Sequence, residues 1–250
     1  MSDKILEIKW LHKTFKFNFN ETHVLKGVDL EVKAWEIYGF LWPNGAWKTT
    51  TMKCVLDFIK PTKWEIRIFG KSLKENPEIL KNIWFTPEQA YYYEYLTWEE
   101  FILFMGRLTW MKDEDIRERW AAFLEKLKLT EAKDRYIKSY SKWMKQRLGL
   151  IAGIINDPDL VFLDEPMSGL DPLWRVLVKE LMVDLKKQWK TIFFNTHILS
   201  DVQEIADHFG IIFHGKIIYE DSTKNIKWSL EELFTKIINE QEEIHETEIR

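Results

Sequence analysis

The chain has 250 residues, enough for one large domain or two small ones with ample core. Its 36 basic and 40 acidic residues give a formal net charge of −4, which argues against a nucleic-acid partner because no strongly basic surface is indicated. One cysteine, Cys54, excludes an intramolecular disulfide framework and fits a reducing compartment. The sequence shows neither a signal-peptide core nor a run of about 20 apolar residues, so we expect a cytoplasmic protein or one attached to a membrane through a partner.

Strand-like and helix-like segments alternate along the chain. Apolar or alternating runs predict strands at 6–10, 24–32, 36–41, 66–69, 160–163, 191–195 and 211–213. Helical periods predict helices at 49–59, 173–188 and 198–208, a mainly helical insertion over about 91–156, and an acidic amphipathic helix over 229–250. This alternation predicts an α/β fold with a parallel sheet.

A lysine–threonine pair stands between the strand at 36–41 and the helix that follows it. Strand, loop and helix in this order are the context of a phosphate-binding loop, whose backbone N–H groups point at phosphate oxygens. With glycine in place of Trp42 and Trp47, the segment matches the pattern G-x-x-x-x-G-K-[ST]. Lys48 is then expected to reach the β- and γ-phosphates and Thr49 to bind Mg²⁺. The predicted phosphate-binding residues are Trp42, Pro43, Asn44, Gly45, Ala46, Trp47, Lys48, Thr49 and Thr50.

Two adjacent carboxylates, Asp164 and Glu165, follow the apolar strand at 160–163. A parallel strand delivers such residues to the carboxyl edge of the sheet, where ligands bind in open α/β folds. Asp164 suits Mg²⁺, and Glu165 suits activation of an attacking water as general base. A lone Asp-Glu pair at a strand end is common, so the assignment depends on the other motifs.

Four further segments have the order and residue types of motifs in the ATP-binding cassette (ABC) family of ATPases, which the chain resembles over nearly its whole length. Ser141-Lys142-Trp143 is similar to the family's signature motif, with Trp143 at a glycine position. Gln89 resembles the Q-loop glutamine, Asp171 the D-loop aspartate and His197 the switch histidine. Together with the phosphate loop and the Asp-Glu pair they make six motifs in order.

The resemblance implies a P-loop NTPase parallel-sheet core with an antiparallel β edge and an inserted helical subdomain. The ABC ATPase domain is expected over 1–228, with the subdomain at about 91–156 and the tail at 229–250. ATP and Mg²⁺ are the implied ligands. The implied catalytic residues are Glu165, His197, Gln89 and Lys48; those for metal are Thr49, Gln89 and Asp164; those for ATP are residues 42–50, Phe15, Ser141, Trp143 and Asp171.

By the same resemblance, two such subunits, expected to be identical, pair head to tail with ATP between them. Hydrolysis would drive export through a separate polytopic membrane permease, and residues 91–94 lie where the family meets that partner. The implied location is peripheral, on the inner face of the cell membrane, with no nucleic-acid partner. Three alternatives stay open: a non-transport ABC ATPase of translation or repair, simple packing of Phe15 instead of stacking on adenine, and ordinary packing of the terminal helix instead of dimerisation or docking on the permease.

Tryptophan is unusually frequent and glycine unusually rare, at thirteen and ten residues, against an average glycine usage of about 7%. The family pattern places glycine at 35, 42, 47, 64, 84, 98, 110, 143 and 189, and plausibly at 10, 120, 174 and 228; every one of these is Trp. None has the context of a natural core tryptophan. Our hypothesis is that UGA codons meaning glycine were translated as tryptophan, so that the natural protein has glycine there. The alternative is that the natural protein has tryptophan at these positions and that the chain is a hydrolysis-deficient scaffold.

Overall fold

The computed structural model describes residues 3–17, 20–43, 48–88, 91–126, 134–227 and 229–249, and only the backbone of Phe17, Lys48, Ala122, Glu125, Lys126, Lys142, Trp143 and 245–249. The strands in these ranges are β1 (Lys4–Phe17), β2 (Asn20–Lys33), β3 (Ile37–Leu41), β4 (Lys63–Ile68), β5 (Lys71–Ser72), β6 (Ile83–Thr86), β7 (Leu160–Asp164), β8 (Thr191–Thr196), β9 (His208–Phe213) and β10 (Lys216–Ser222). The α-helices are α1 (Lys48–Val55), α2 (Trp98–Leu108), α3 (Asp113–Lys126), α4 (Lys142–Ile154), α5 (Pro172–Lys187), α6 (Leu199–Ile205) and α7 (Leu230–Ile249).

Six strands form a mainly parallel sheet in the order β10-β9-β3-β8-β7-β6. Strands β9, β3, β8, β7 and β6 are parallel to their neighbours, and β10 adds an antiparallel edge to β9. Every residue of β3, β7 and β8 is buried, as expected of strands covered on both faces. The predicted parallel core with an antiparallel β edge is thereby confirmed.

A second sheet is antiparallel, in the order β2-β1-β4-β5. Its strands β1 and β2 have 14 residues each, longer than the predicted 6–10 and 24–32. Pairing between the two strands extends into polar stretches that carry no apolar signal. Side chains from both sheets share one core, which includes Leu6, Val28, Ile66, Tyr38, Phe40, Phe162 and Phe193.

Helices α2, α3 and α4 lie in the chain between β6 and β7 and pack around a core of their own. Helix α2 begins with a capping box, in which the Thr97 hydroxyl accepts the Glu100 backbone N–H and the Glu100 carboxylate accepts the Thr97 N–H. The buried residues of this core include Trp98, Phe101, Ile116, Trp120, Leu148 and Ile151. The limits of 91–156 for a helical subdomain stay a prediction.

Two helices are shorter than predicted. Helix α1 ends at Val55 and not near residue 59, because Asp57 has a φ of +59° and turns the chain out of the helix. Helix α6 runs from Leu199 to Ile205, and the chain then leads into β9. Both predictions followed apolar periodicity past the point where the backbone leaves the helix.

The tail forms the predicted helix α7. Leu230, Ile237 and Ile238 are buried, and they pack in one cluster with residues of α5, α6 and the six-stranded sheet. The helix therefore has an apolar face that the rest of the chain covers. None of the helices in the described ranges is long and apolar enough to cross a membrane.

In the described ranges, four tryptophans have backbone conformations that L-residues rarely adopt. Trp10 has a φ of +49°, and Trp35, Trp110 and Trp189 each have a φ of +64°. This left-handed region favours glycine, because a Cβ crowds the neighbouring backbone there. All four side chains are exposed.

Among the tryptophans whose side chains the structure describes, three are buried, which differs from the expectation that none has a core context. Trp42 follows β3, and Trp98 and Trp120 pack against each other with ring centroids 6.4 Å apart. The indole N–H groups of Trp98 and Trp120 are buried without a hydrogen-bond partner in the described part of the chain. A buried donor left unpaired costs about 1–3 kcal/mol of folding free energy. The two rings therefore fill space in the core while their N–H groups oppose burial.

Candidate functional site

The carboxyl ends of β7 and β8 bring the predicted site residues together. These strands are parallel neighbours, and their register pairs Asp164 with Asn195. Glu165 follows β7 directly, and His197 follows β8 directly. Two segments that are about thirty residues apart in the sequence therefore end at the same edge of the sheet.

Asp164 contacts the first turn of helix α1. The Thr49 hydroxyl donates a hydrogen bond to Asp164 Oδ2 over 3.0 Å, and the carboxylate is buried. Its other oxygen, Oδ1, is buried without a hydrogen-bond partner among the described residues. A hydroxyl and a carboxylate with a spare oxygen are hard oxygen donors, the kind that Mg²⁺ prefers. These two residues therefore fit the magnesium site that the sequence predicts.

Glu165 contacts His197. Glu165 Oε1 lies 2.6 Å from His197 Nδ1, and the glutamate side chain is 2% exposed whereas the histidine side chain is 48% exposed. The pair thus joins a buried carboxylate to a ring that reaches solvent. A carboxylate held in this way can accept a proton from a water molecule bound beside it.

Asn195 is a site residue that the sequence analysis did not identify. It is fully buried, and its Oδ1 accepts the Glu165 backbone N–H over 2.9 Å. Its Nδ2 lies 3.5 Å from the Met52 sulfur on α1. An asparagine at the end of an apolar strand is the available signal, since a buried amide requires polar partners.

Two residues of α4 contact the chain after Glu165, one in the loop and one on α5. Gln146 Nε2 donates to the Pro166 carbonyl over 3.2 Å, and the Arg147 guanidinium carbon lies 3.2 Å from the centre of the Trp174 ring. Burial lowers the pKa of Arg147, and Asp171 partly opposes that shift. Neither contact was predicted, because both depend on how α4 packs against the sheet.

Ser141 and Asp171 both cap helices. The Ser141 hydroxyl accepts the Met144 N–H over 3.2 Å at the start of α4, and Asp171 accepts the N–H groups of Leu173 and Trp174 at the start of α5. These are the usual N-cap contacts, in which a side-chain oxygen satisfies N–H groups of the first turn. Their described contacts stay local and do not join them to the Glu165–His197 pair.

In the described part of the chain, Phe15, Pro43 and Thr50 form no hydrogen bond with this group. Phe15 is on β1, where the Lys13 ammonium lies 4.7 Å from the centre of its ring. Thr50 is in α1, and Pro43 follows the buried Trp42. Asn44, Gly45, Ala46, Trp47 and Gln89 lie outside the described residues, and for Lys48 and Trp143 only the backbone is described.

The parallel sheet, its antiparallel edge and the helix that begins at Lys48 define the class of P-loop nucleoside-triphosphatase folds. Family comparison agrees, since residues 25–168 match the model of the ABC transporter family. The chain belongs to this family, as an ATP-binding subunit.

Known proteins resemble the chain over most of its length. It is 37% identical over 222 residues to an uncharacterized ABC transporter ATP-binding protein, sll0415, of Synechocystis, covering 88% of this chain and 62% of the relative. It is 37% identical over 213 residues to the daunorubicin/doxorubicin resistance ATP-binding protein DrrA of Streptomyces peucetius, covering 85% and 64%. A solved ATP-binding subunit of an ABC transporter superposes with a TM-score of 0.85 at 27% identity, covering 94% of this chain and 99% of that one. The chain therefore spans less than two thirds of the length of sll0415 and of DrrA.

Proposed function

We propose that the chain hydrolyses MgATP as one subunit of a head-to-tail homodimer and thereby drives export through a separate membrane permease. The observation that carries the proposal is the Glu165–His197 pair beside the Asp164–Thr49 contact, at one edge of the parallel sheet. The likeness to DrrA, a relative named for drug resistance, supports export as the direction of transport. The subunit would act at the inner face of the cell membrane.

Glu165 acts in this proposal as the general base. A water oxygen forms a bond to the γ-phosphorus, the bond from that phosphorus to the bridging oxygen breaks, and Glu165 takes the water proton while ADP leaves. His197 keeps the carboxylate in place through the 2.6 Å contact at Nδ1. Bound Mg²⁺ supplies positive charge that stabilises the phosphate oxygens. Thr49 and Asp164 are the described residues that would hold it, and the family resemblance adds Gln89.

The tryptophans at the predicted phosphate loop and signature motif oppose this function in the chain as written. Trp42 is buried directly after β3, at the point where the backbone must approach phosphate oxygens closely. Trp47 and Trp143 stand at the other two positions where the family motif has glycine. We therefore assign the activity to the chain with glycine at its thirteen Trp positions, here called the glycine version.

The test is phosphate release by the full chain as written and by the glycine version. We expect hydrolysis in the glycine version to be about a hundredfold faster or more, since displacement by a side chain at a reacting centre has effects of this size. A matched control carries glycine only at the exposed Trp10, Trp35, Trp110 and Trp189, and should stay inactive. Equal activity of both full versions would refute the glycine assignment, and no activity in either would refute hydrolysis.

Two alternatives make different predictions. If the tryptophans are literal, the chain is a scaffold that associates with a permease without hydrolysing ATP. If it is a non-transport ABC ATPase of translation or repair, no membrane partner copurifies with it. A gene for a polytopic membrane protein beside this one, and copurification of the two products, favours the transporter.

A further inference from the structure

Glu165 is held in an unusual backbone conformation. Its φ is +51°, in the left-handed region that residues with a side chain rarely adopt. The same N–H is hydrogen bonded twice, to the Asn195 backbone carbonyl at 3.1 Å and to Asn195 Oδ1 at 2.9 Å. The backbone bond continues the pairing of β7 and β8, whereas the side-chain bond depends on Asn195.

We propose that Asn195 is a positioning residue for hydrolysis, and this inference depends on the proposed function. Its Oδ1 holds the Glu165 N–H in the conformation that turns the carboxylate toward His197 Nδ1. Its Nδ2 faces the Met52 sulfur, so the same side chain also joins this strand end to α1, the helix that carries Thr49. The Asn195 side chain thus contacts both the backbone of the proposed base and the helix that follows the predicted phosphate loop.

A pair of variants of nearly equal shape tests the role. Asn195→Thr and Asn195→Val both fit a buried strand, and both lose the contact with Met52, but only threonine keeps an oxygen acceptor. In the glycine version we expect Asn195→Val to lower kcat about five- to tenfold with the KM for ATP unchanged, the effect of one hydrogen bond. Asn195→Thr should recover most of the loss. Equal kcat in both variants, or a change in KM alone, overturns the proposal.

A second measurement does not depend on activity. In the chain as written, the ring ¹⁵N signals of His197 report its contact with Glu165, and His197→Gln identifies those signals among the six histidines. Asn195→Val should shift the His197 signals as Glu165→Gln does, while Asn195→Thr leaves them near their original positions. Unshifted signals in a folded Asn195→Val chain overturn the role. An inactive glycine version with the expected shifts would instead refute only the proposed hydrolysis.

A different observation supports a second inference, about the tryptophans far from this site. Trp110 and Trp189 occupy the residue after the C-cap of α2 and α5. The Trp110 and Met111 N–H groups bond to the carbonyls of Arg107 and Gly106, at 3.0 and 3.2 Å. Trp189 and Lys190 repeat the pattern with Lys186 and Leu185, at 2.9 and 3.1 Å. Both helix ends are Schellman motifs, whose left-handed residue is usually glycine.

Trp10 and Trp35 are at two other places that favour glycine. Trp10 has left-handed backbone where the register of β1 and β2 shifts between Ile8 and Leu11, as glycine does in a common type of β-bulge. Trp35 is in the turn between β2 and β3. Packing does not account for indoles here: Trp110 is 89% exposed, and the Trp35 and Trp189 rings contact each other at the surface.

We infer that the natural protein has glycine at these four positions, for reasons of backbone geometry that are independent of the nucleotide motifs. Two kinds of measurement test this. In the chain as written, Trp110→Gly and Trp189→Gly should each raise Tm by about 2–4 °C, whereas Trp110→Ala and Trp189→Ala gain less because alanine keeps a Cβ. Alanine variants as stable as the glycine variants would contradict the geometric argument.

The native gene and its product decide the identity of the residues directly. We expect UGA codons at the four positions. Peptides from the native protein should also be lighter than the written sequence requires, at each position by the mass difference between tryptophan and glycine. UGG codons would overturn the inference. UGA codons with peptide masses that contain tryptophan would overturn it equally.

Discussion

Asp164 and Glu165 are adjacent residues with different surroundings. Asp164 accepts a hydrogen bond from Thr49 and keeps a buried oxygen without a partner in the described chain, which suits a cation. Glu165 contacts an imidazole that reaches solvent, which suits exchange of a proton with water. Neighbouring carboxyl groups acquire separate roles in this way because their environments differ.

Removal of the proposed base, Glu165, should therefore separate hydrolysis from binding. In the glycine version, we expect Glu165→Gln to lower kcat about 10²–10⁴-fold while ATP affinity changes little, because glutamine keeps the shape but does not take the proton. Single-turnover hydrolysis and equilibrium ATP binding measure the two effects, with Glu180→Gln on α5 as a control distant in sequence. Substantial hydrolysis by Glu165→Gln would assign the base elsewhere.

Cys54 makes the stability of α1 sensitive to alkaline pH. Burial raises the pKa of its thiol to about 11, above the value of 9.0 that applies to an exposed thiol. The folded state therefore keeps a proton that the unfolded state releases, so this contribution is complete below pH 9 and is lost as pH rises toward 11. Over that interval we expect the free energy of unfolding of the chain to fall by about 1–2 kcal/mol more than that of the Cys54→Ala variant, as measured by urea unfolding. Parallel pH curves for the two proteins would contradict this.

Ser141 stabilises helix α4 and is also one of the ATP-binding residues that the family resemblance implies. Ser141 accepts the Met144 N–H and so stabilises the first turn of α4, in addition to the ATP contact that the family resemblance implies. Asn and Asp provide equivalent caps, whereas Ala provides none. The N-cap at position 141 can therefore be kept while the serine hydroxyl is replaced by another group.

Two substitutions at Ser141 should give different results for folding and for activity. Ser141→Ala is expected to lower the free energy of unfolding by about 1 kcal/mol, and Ser141→Asn to leave it nearly unchanged. In the glycine version, both should reduce ATP hydrolysis if Ser141 contacts nucleotide. Thermal unfolding and phosphate release measure the two effects. Full activity in Ser141→Asn would limit this residue to its role as a cap.

At the scale of the whole molecule, Ser141 has no described contact with the group at the sheet edge. Asp164, Glu165 and His197 meet at one sheet edge, while the described side-chain hydrogen bond of Ser141 stays within α4. This separation agrees with the proposal that Ser141 acts on nucleotide bound by a second copy. Helix α7 packs against its own chain through Leu230 and Ile237. The proposed pairing of two subunits therefore does not require this helix.

Nucleotide should consequently control the oligomeric state. The Glu165→Gln chain in the glycine version is expected to be a monomer alone or with ADP, and a dimer with MgATP, because unhydrolysed ATP keeps both halves of the site in contact. Light scattering after size-exclusion chromatography gives the mass in each case. A monomer in saturating MgATP would refute the head-to-tail dimer.

The sequence alone determined the class of fold and the sheet edge at which three of the candidate residues lie. The apolar runs at β7 and β8 predict strands buried on both faces, and parallel strands necessarily end at one edge, so Asp164, Glu165 and His197 could be placed together. The excess of tryptophan at glycine positions was also visible, because it depends only on order and residue type.

Tertiary structure decided what depends on register and backbone. The proposed role of Asn195 follows from its hydrogen bond to the Glu165 N–H, which the register of β7 and β8 makes possible, and the left-handed conformation of Glu165 has no signal in the order of residues. The same holds for the tryptophans: packing buries Trp98 and Trp120, and backbone geometry shows that Trp110 and Trp189 end helices where a Cβ is unfavourable. Sequence patterns report local periodicity, whereas these features arise from contacts and dihedral angles that exist only once the chain has folded.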